Sequence, residues 1–259
     1  MKLSLYQIDA FANKPFEGNP AAILSLDEWL SDDLMQSIAT ENNLSETAFF
    51  VKTSKGYSIR WFTPVHEVDL CGHATLASAY VIFNILKYEE DEILFESKSG
   101  LLKVKRNKDW LEMNFPSQPP VKCPIPKQLL EAFDEEPMEC LQSEDYILVF
   151  KNEESILNAN PNIPLLSELD LRGVVITSIS ENYDFISRFF APKYGVNEDP
   201  VTGSSFTQLI PYWSKKLNKQ TLNAKQVSKR GGEVRCTYLN ERVQISGRAV
   251  KYMDAVIEI

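Results

Sequence analysis

Histidine is nearly absent: His66 and His73 are the only two in 259 residues. Their separation by seven positions fits no familiar metal box, so no zinc centre is expected and no metal is assigned. The four cysteines, Cys71, Cys123, Cys140 and Cys236, contain no C-x-x-C pair and no regular framework. That argues against a disulfide-stapled secreted domain and for reduced thiols in the cytosol. No uninterrupted apolar run approaches the ~20 residues needed to span a bilayer. Asp9 interrupts the only N-terminal stretch that would serve as a signal-peptide core, so the expected location is cytoplasmic, with no membrane partner. Basic residues are in the minority, 27 against 36 acidic, for a formal charge of −9. Nucleic acid and anionic lipid are poor partners for such a chain. A small anionic substrate is compatible with it, because a pocket sets its own local field.

What is present is a globular composition, 44% apolar and 24% charged, with ample material for a core. The length admits one large domain or two ordinary ones, and an internal repeat favours two. Asp69-Leu70-Cys71-Gly72-His73-Ala74-Thr75 recurs as Asp199-Pro200-Val201-Thr202-Gly203-Ser204-Ser205, with Thr202 standing 131 positions after Cys71. Trp61-Phe62-Thr63-Pro64 precedes the first copy and Phe189-Phe190-Ala191-Pro192 the second. Ser97-Lys98-Ser99-Gly100 matches Ser228-Lys229-Arg230-Gly231 at the same offset, from Gly100 to Gly231. Such self-similarity marks two copies of one supersecondary unit.

Apolar alternation predicts strands over 3–11, 21–26, 47–52, 57–62, 93–96, 101–105 and 110–115 in the first half. In the second half it predicts 146–150, 174–178, 185–190, 225–228, 233–238, 242–245 and 255–259. Helices are expected from a Ser31 cap to Glu41, from His73 to Leu86 and from Ser204 to about Leu217. The segment from His73 is apolar nearly all round and must be enclosed. Pro116, Pro119, Pro120, Pro124 and Pro126 break both helix and ladder, which places the domain crossing there. The expected domains are 1–117, completed by about 249–259, and 118–248. The physical picture is an α+β chain in which a curved sheet wraps one enclosed helix, built twice, with a cleft between the copies as the natural small-molecule site.

Four ordered segments carry a specific resemblance. They are Asp9-Ala10-Phe11 through Phe16-Glu17-Gly18-Asn19-Pro20, Asn43 through Phe49, Leu70-Cys71-Gly72-His73-Ala74-Thr75, and Glu198-Asp199-Pro200-Val201-Thr202-Gly203-Ser204. Together they resemble the phenazine-biosynthesis PhzF family, relatives of diaminopimelate epimerase, over essentially the whole chain. The resemblance implies two pseudo-symmetric domains, each a barrel-like, mostly antiparallel sheet around a central helix, an active site between them and a homodimer. It implies an isomerase that uses no cofactor or metal. It also assigns Glu46 as acid/base, with His73, Asp199 and Ser204 around the substrate.

The residue types suit that chemistry. Moving a proton between carbons needs a base that takes it from one and returns it to the other. Partial burial of Glu46 between Leu44 and Ala48-Phe49-Phe50 would strengthen it for that task; alternatively Ser45-Glu46 is a plain charged loop at a strand edge. Gly72 and Gly203, with Ser45 and Ser204, would bind the substrate carboxylate through amides at the two helix starts, or the glycines serve only tight turns. His73 in the first turn of its helix feels the positive dipole end, which disfavours protonation. Asp199 either orients a substrate amine or hydroxyl or caps a helix. Cys71 is either a reactive thiol or a buried inert one; its counterpart Thr202 is too weak an acid for two-thiol epimerisation. Phe206 stands where family members often carry histidine, and would present a larger, less polar wall to a different substrate.

The expected activity is a cofactor-independent isomerase acting on a small amino- or hydroxy-carboxylic acid. An amino-acid racemase or epimerase is the first alternative. A non-catalytic small-molecule binder on the same scaffold is the second.

Overall fold

The alternating N-terminal segment forms β1 (Lys2–Ala10) in the computed structural model, which describes residues 1–259. It runs antiparallel to β2 (Asn19–Leu26). The turn into β2 requires Gly18, at φ +65°, because a Cβ there would lie 2.0 Å from the Ala10 carbonyl oxygen. Helix α1 (Asp32–Asn42) then carries the chain to β3 (Glu46–Thr53), which lies parallel to β2. Ser31 caps α1, its Oγ accepting the Leu34 N–H at 3.4 Å. Strand β4 (Gly56–Phe62) is antiparallel to β3, and the short β5 (Glu67–Val68) is antiparallel to β4.

Helix α2 (Gly72–Tyr80) buries every side chain from His73 to Ala79, as its all-round apolar sequence demands. It packs on β1, β2 and β3. The helix expected to reach Leu86 changes character: α-helical geometry ends at Tyr80, and Val81–Ile85 form a π-helical turn. Strand β6 (Glu92–Ser97) returns parallel to β4, and β7 (Gly100–Asn107) and β8 (Trp110–Pro116) follow antiparallel. A second face of this sheet closes over α1, burying Leu24, Met35, Phe49 and Phe62. Each such side chain contributes about 1.5–3 kcal/mol on full burial.

The next segment opens with β9 (Val121–Lys122), a strand inside the proline cluster that was expected to exclude one; it pairs with β10 (Glu139–Gln142). The prolines flank the two paired residues, so neither ladder N–H is lost. Helix α3 (Lys127–Ala132) lies between these strands in sequence. Strand β11 (Tyr146–Val149) is followed by α4 (Glu153–Leu157), α5 (Ile163–Ser167), β12 (Val174–Ile179), β13 (Phe185–Ala191) and β14 (Val196–Asp199). A 3-10 turn at Gly203–Ser205 leads into α6 (Phe206–Leu217), then β15 (Thr221–Gln226), β16 (Gly232–Leu239) and β17 (Arg242–Gly247). The strand expected at 225–228 thus begins four residues earlier and ends two earlier.

The last strand, β18 (Ala249–Glu258), pairs antiparallel with β1. The chain divides into two units, Met1–Asn114 with Ser246–Ile259, and Phe115–Ile245. Both units are α+β, and the strand pairings repeat in order. In the first, β2/β3 are parallel, β3/β4 antiparallel, β4/β6 parallel and β6/β7 antiparallel. In the second, β11/β12 are parallel, β12/β13 antiparallel, β13/β15 parallel and β15/β16 antiparallel. The helix interposed between the last parallel pair is α2 in one unit and α6 in the other. No helix is long and apolar enough to cross a membrane.

Candidate active site

Glu46 is the first residue of β3 and pairs in register with Ala21, while Asn19 begins the parallel strand β2. Asn43 ends α1 in the left-handed conformation, φ 48°, which turns the chain sharply. Ser45 occupies the bend that follows, half-buried. Asn42 Nδ2 donates to Thr47 Oγ1 at 3.1 Å and ties the helix end to the strand start. The carboxylate is thereby delivered to the N-terminus of α2, where His73 is the second helical residue.

Glu46 Oε2 and His73 Nε2 lie 3.1 Å apart, with side-chain exposures of 18% and 8%. The contact is an ion-pair approach without hydrogen-bond alignment, so both buried atoms are left with no hydrogen-bond partner. On the other side of the ring, His73 Nδ1 meets the Asn19 amide at 3.4 Å and Cys71 Sγ at 3.5 Å. Ser45, Glu46, Gly72 and His73 therefore converge in the first unit. The sequence had suggested a neutral His73, disfavoured from protonation by the helix dipole, and the structure corrects this. Burial does oppose the imidazolium, but the negative charge available from Cys71 and Glu46 outweighs it, and His73 titrates well above its ordinary value. Burial pushes the Cys71 thiol up and the Glu46 carboxylate pushes it further, against the opposing pull of His73. Cys71 is accordingly the buried, inert alternative.

Glu46, Cys71 and His73 place donor atoms within 4.8 Å of one another. The sulfur faces Nδ1 and the carboxylate faces Nε2, however, and one ion can take only one ring nitrogen. The trio is arranged as thiol, ring and carboxylate in series, which suits proton handling better than coordination. His66, by contrast, is exposed in the turn before β5.

In the second unit Asp199 ends β14 and accepts a hydrogen bond from Thr202 Oγ1. Gln226 from β15 holds both: its Nε2 donates to the Asp199 carbonyl at 2.7 Å, and its Oε1 accepts the Thr202 N–H at 2.9 Å. Thr202, three residues after Asp199, is the residue preceding the helical turn, and its side chain makes no capping bond. Gly203 and Ser204 follow. Neither Gly72 nor Gly203 has a positive φ, so turn geometry does not demand glycine at either place.

Ser204 Oγ accepts from Arg172 Nη1 at 2.9 Å, a partner the sequence did not disclose. Arg172 is held by a fork to the wholly buried Asp145, Nε to Oδ1 at 2.9 Å and Nη2 to Oδ2 at 2.6 Å. Gln208 of α6 donates to the same carboxylate at 2.6 Å. Burial opposes the Arg172 charge, and its Asp145 partner more than restores it. Parallel pairing explains the meeting: Tyr146 and Val174 are register partners, so the residues just before β11 and β12 are neighbours. The equivalent strand starts in the first unit carry Asn19 and Glu46. The repeat thus presents an acid beside His73 in one copy and a cation beside Ser204 in the other.

Phe206 corrects another expectation. It is fully buried against Phe185, with ring centroids 6.1 Å apart, and packs the second unit's core instead of forming a wall toward a ligand.

A family model described as "Phenazine biosynthesis-like protein" matches residues 8–255. The chain belongs to the phenazine biosynthesis-like family. An uncharacterized isomerase of Pseudomonas aeruginosa is 48% identical over 259 residues, covering 100% of both chains. The crystal structure of a PhzF-family protein of Enterococcus faecalis superimposes with a TM-score of 0.98 at 44% identity, covering 100% of each chain. A hydroxyproline epimerase of Agrobacterium vitis, with bound trans-4-hydroxy-L-proline, gives a TM-score of 0.60 at 8% identity over 99% of this chain and 92% of its own. At that identity the likeness shows the fold alone, which is diaminopimelate epimerase-like. The phenazine biosynthesis-like chain is thus a member of an isomerase family.

Proposed function

We propose that the protein is a cofactor-independent isomerase that moves a proton between carbons of a small amino- or hydroxy-carboxylic acid, with Glu46 as general acid and base. The observation that carries this reading is the buried Glu46–His73 pair, whose facing atoms lack hydrogen-bond partners. A carboxylate whose inner oxygen has no aligned hydrogen-bond donor in the protein is free to align on a substrate C–H. It takes the proton from one carbon, and as a carboxylic acid returns it to another on the same face. His73, held protonated, donates a hydrogen bond to the oxygen on which charge develops when the C–H breaks.

Each unit has an amide-lined helix start assigned to anion binding, at Gly72 with Ser45 in the first and at Gly203 with Ser204 in the second. The first N–H groups of a helix have no partner within it. Asp199 is assigned the orientation of a substrate amine or hydroxyl. Homodimeric assembly and a cytoplasmic location belong to the same proposal; sedimentation velocity at micromolar concentration tests the first, and a single monomeric species would reject it.

Two-thiol epimerisation has no support in the chain, since the counterpart of Cys71 is Thr202, whose hydroxyl is engaged by Asp199. The deciding experiment screens cyclic and linear amino and hydroxy acids, trans-4-hydroxy-L-proline among them, by thermal shift. Substrate C–H exchange in deuterium oxide is then followed by NMR. Wild type is expected to exchange a C–H of a stabilising ligand, and Glu46→Gln to bind it while losing exchange by ~10²–10⁴-fold. Near-normal exchange in the variant would remove Glu46 as the base. Binding without exchange in wild type would leave a non-catalytic binder. Chiral inversion would identify an epimerase.

A further inference from the structure

Cys123 and Cys140 are directly opposed across an antiparallel pair, and neither belongs to the candidate active site. The register of β9 and β10 sets Val121 against Gln142 and Lys122 against Leu141, so the next rung sets Cys123 against Cys140. The Cys123 N–H donates to the Cys140 carbonyl at 3.1 Å and closes that rung. Residues bonded this way have Cα atoms ~5.5 Å apart, inside the window of about 4.4–6.8 Å that a disulfide requires. Their sulfurs are already in van der Waals contact at 3.4 Å. All four thiols of the chain are free, and Cys71 and Cys236 have no sulfur partner.

We propose that Cys123 and Cys140 form a site of reversible oxidation, in which a small-molecule disulfide such as oxidised glutathione converts the opposed thiols into an intramolecular cross-link. Access sets the order of events. Cys123 is half-buried at the strand end before Pro124, whereas Cys140 is buried in the core with Leu129 and Phe133. Burial first, and then the neighbouring Cys123 sulfur, push the Cys140 thiol up to about 12. Cys123, the more accessible of the two, attacks the small disulfide as its thiolate, forming a mixed disulfide and releasing one thiol. Cys140 then gives up its proton and attacks the Cys123 sulfur, expelling the second thiol. Two protein thiols are oxidised, one small disulfide is reduced to two thiols, and no other reactant is needed.

The cross-link closes a loop of 17 residue steps that carries α3. Closing a loop of that length restricts the unfolded chain, and the oxidised protein should melt higher, by roughly 5 °C. The product is a stapled second unit under disulfide stress, opened again by dithiols.

The test treats the folded full-length protein with oxidised glutathione. The expected product is 2 Da lighter than the untreated chain, with two fewer titratable thiols and a single cross-linked peptide joining Cys123 to Cys140. Dithiothreitol should restore the starting mass and melting temperature. Cys123→Ser should show no mass loss, and because this residue is half-buried the variant should fold. A stable glutathione adduct on Cys123 with no cross-link, an unchanged mass, or a cross-link through Cys71 or Cys236 would each overturn the proposal.

Discussion

The Glu46 carboxylate and the His73 imidazole approach to 3.1 Å without completing a hydrogen bond. They arrive from different elements, the first residue of a strand and the second of a helix, and each leaves its partner one unaligned buried atom. Charge complementarity makes the approach tolerable, since an imidazolium offsets the carboxylate that neither could balance alone in a buried setting.

The protonation of His73 is directly measurable. In the folded protein its imidazole should titrate well above the ordinary histidine range. Its contribution to stability is full below the unfolded histidine value and is lost as pH rises through the raised folded value. Glu46→Gln removes the favouring charge and should lower the His73 titration. Nitrogen-15 NMR of the ring would show this, and an unchanged midpoint would mean that Glu46 does not set it.

The Arg172–Asp145 fork should be costly to break from one side. Arg172→Met leaves a wholly buried carboxylate facing only Gln208, and the expected loss is about 3–5 kcal/mol in urea unfolding. Arg172→Lys keeps the charge but cannot reproduce two parallel bonds, so an intermediate loss is expected. The paired change Asp145→Leu with Arg172→Met should recover much of the stability. A single Arg172→Met variant as stable as wild type would show that the fork contributes little.

Glu67 should contribute to acid sensitivity. The Arg60 guanidinium, bound at 2.7 and 2.8 Å, holds its carboxyl down at about 2, with Lys98 helping. A carboxyl depressed on folding stabilises fully above its unfolded value near 4.5, and that contribution disappears as pH falls from there toward about 2. The magnitude is on the order of 2 kcal/mol after solvent screening. Comparing wild type with Glu67→Gln across this window should show the variant losing less stability on acidification.

Two glycines of positive φ should behave differently. At Gly18 a Cβ would meet a backbone oxygen at 2.0 Å, whereas at Gly195 nothing lies within 4 Å. Gly195→Ala should cost only the left-handed backbone penalty, roughly 1–2 kcal/mol. Gly18→Ala should cost distinctly more and should disturb the His73 environment through Asn19, the next residue. Equal losses would deny the steric origin.

Much of this was legible in the residues themselves. The 131-residue offset, the enclosed helix and the matched glycines are local or periodic signals, and periodicity survives in a linear string. The family resemblance likewise rests on contiguous segments, and the match over residues 8–255 agrees with it. Short elements escaped: β5, β9, β10, β14 and helices α3 to α5 are too brief to show a period. The charge beside His73 was also invisible, because the dipole of its own helix is local whereas the opposing carboxylate comes from another strand.

The amino-acid order alone showed a duplicated α+β chain, because repeats and periods lie within short windows, and its resemblance to a known family pointed to Glu46, His73, Asp199 and Ser204. Tertiary structure alone decided that the groups beside His73 favour its protonated form, that Phe206 is core, and that Arg172 and Asp145 stand behind Ser204. Parallel strand pairing and burial bring together residues tens of positions apart, and electrostatic energy depends on that distance in space, not on separation along the chain.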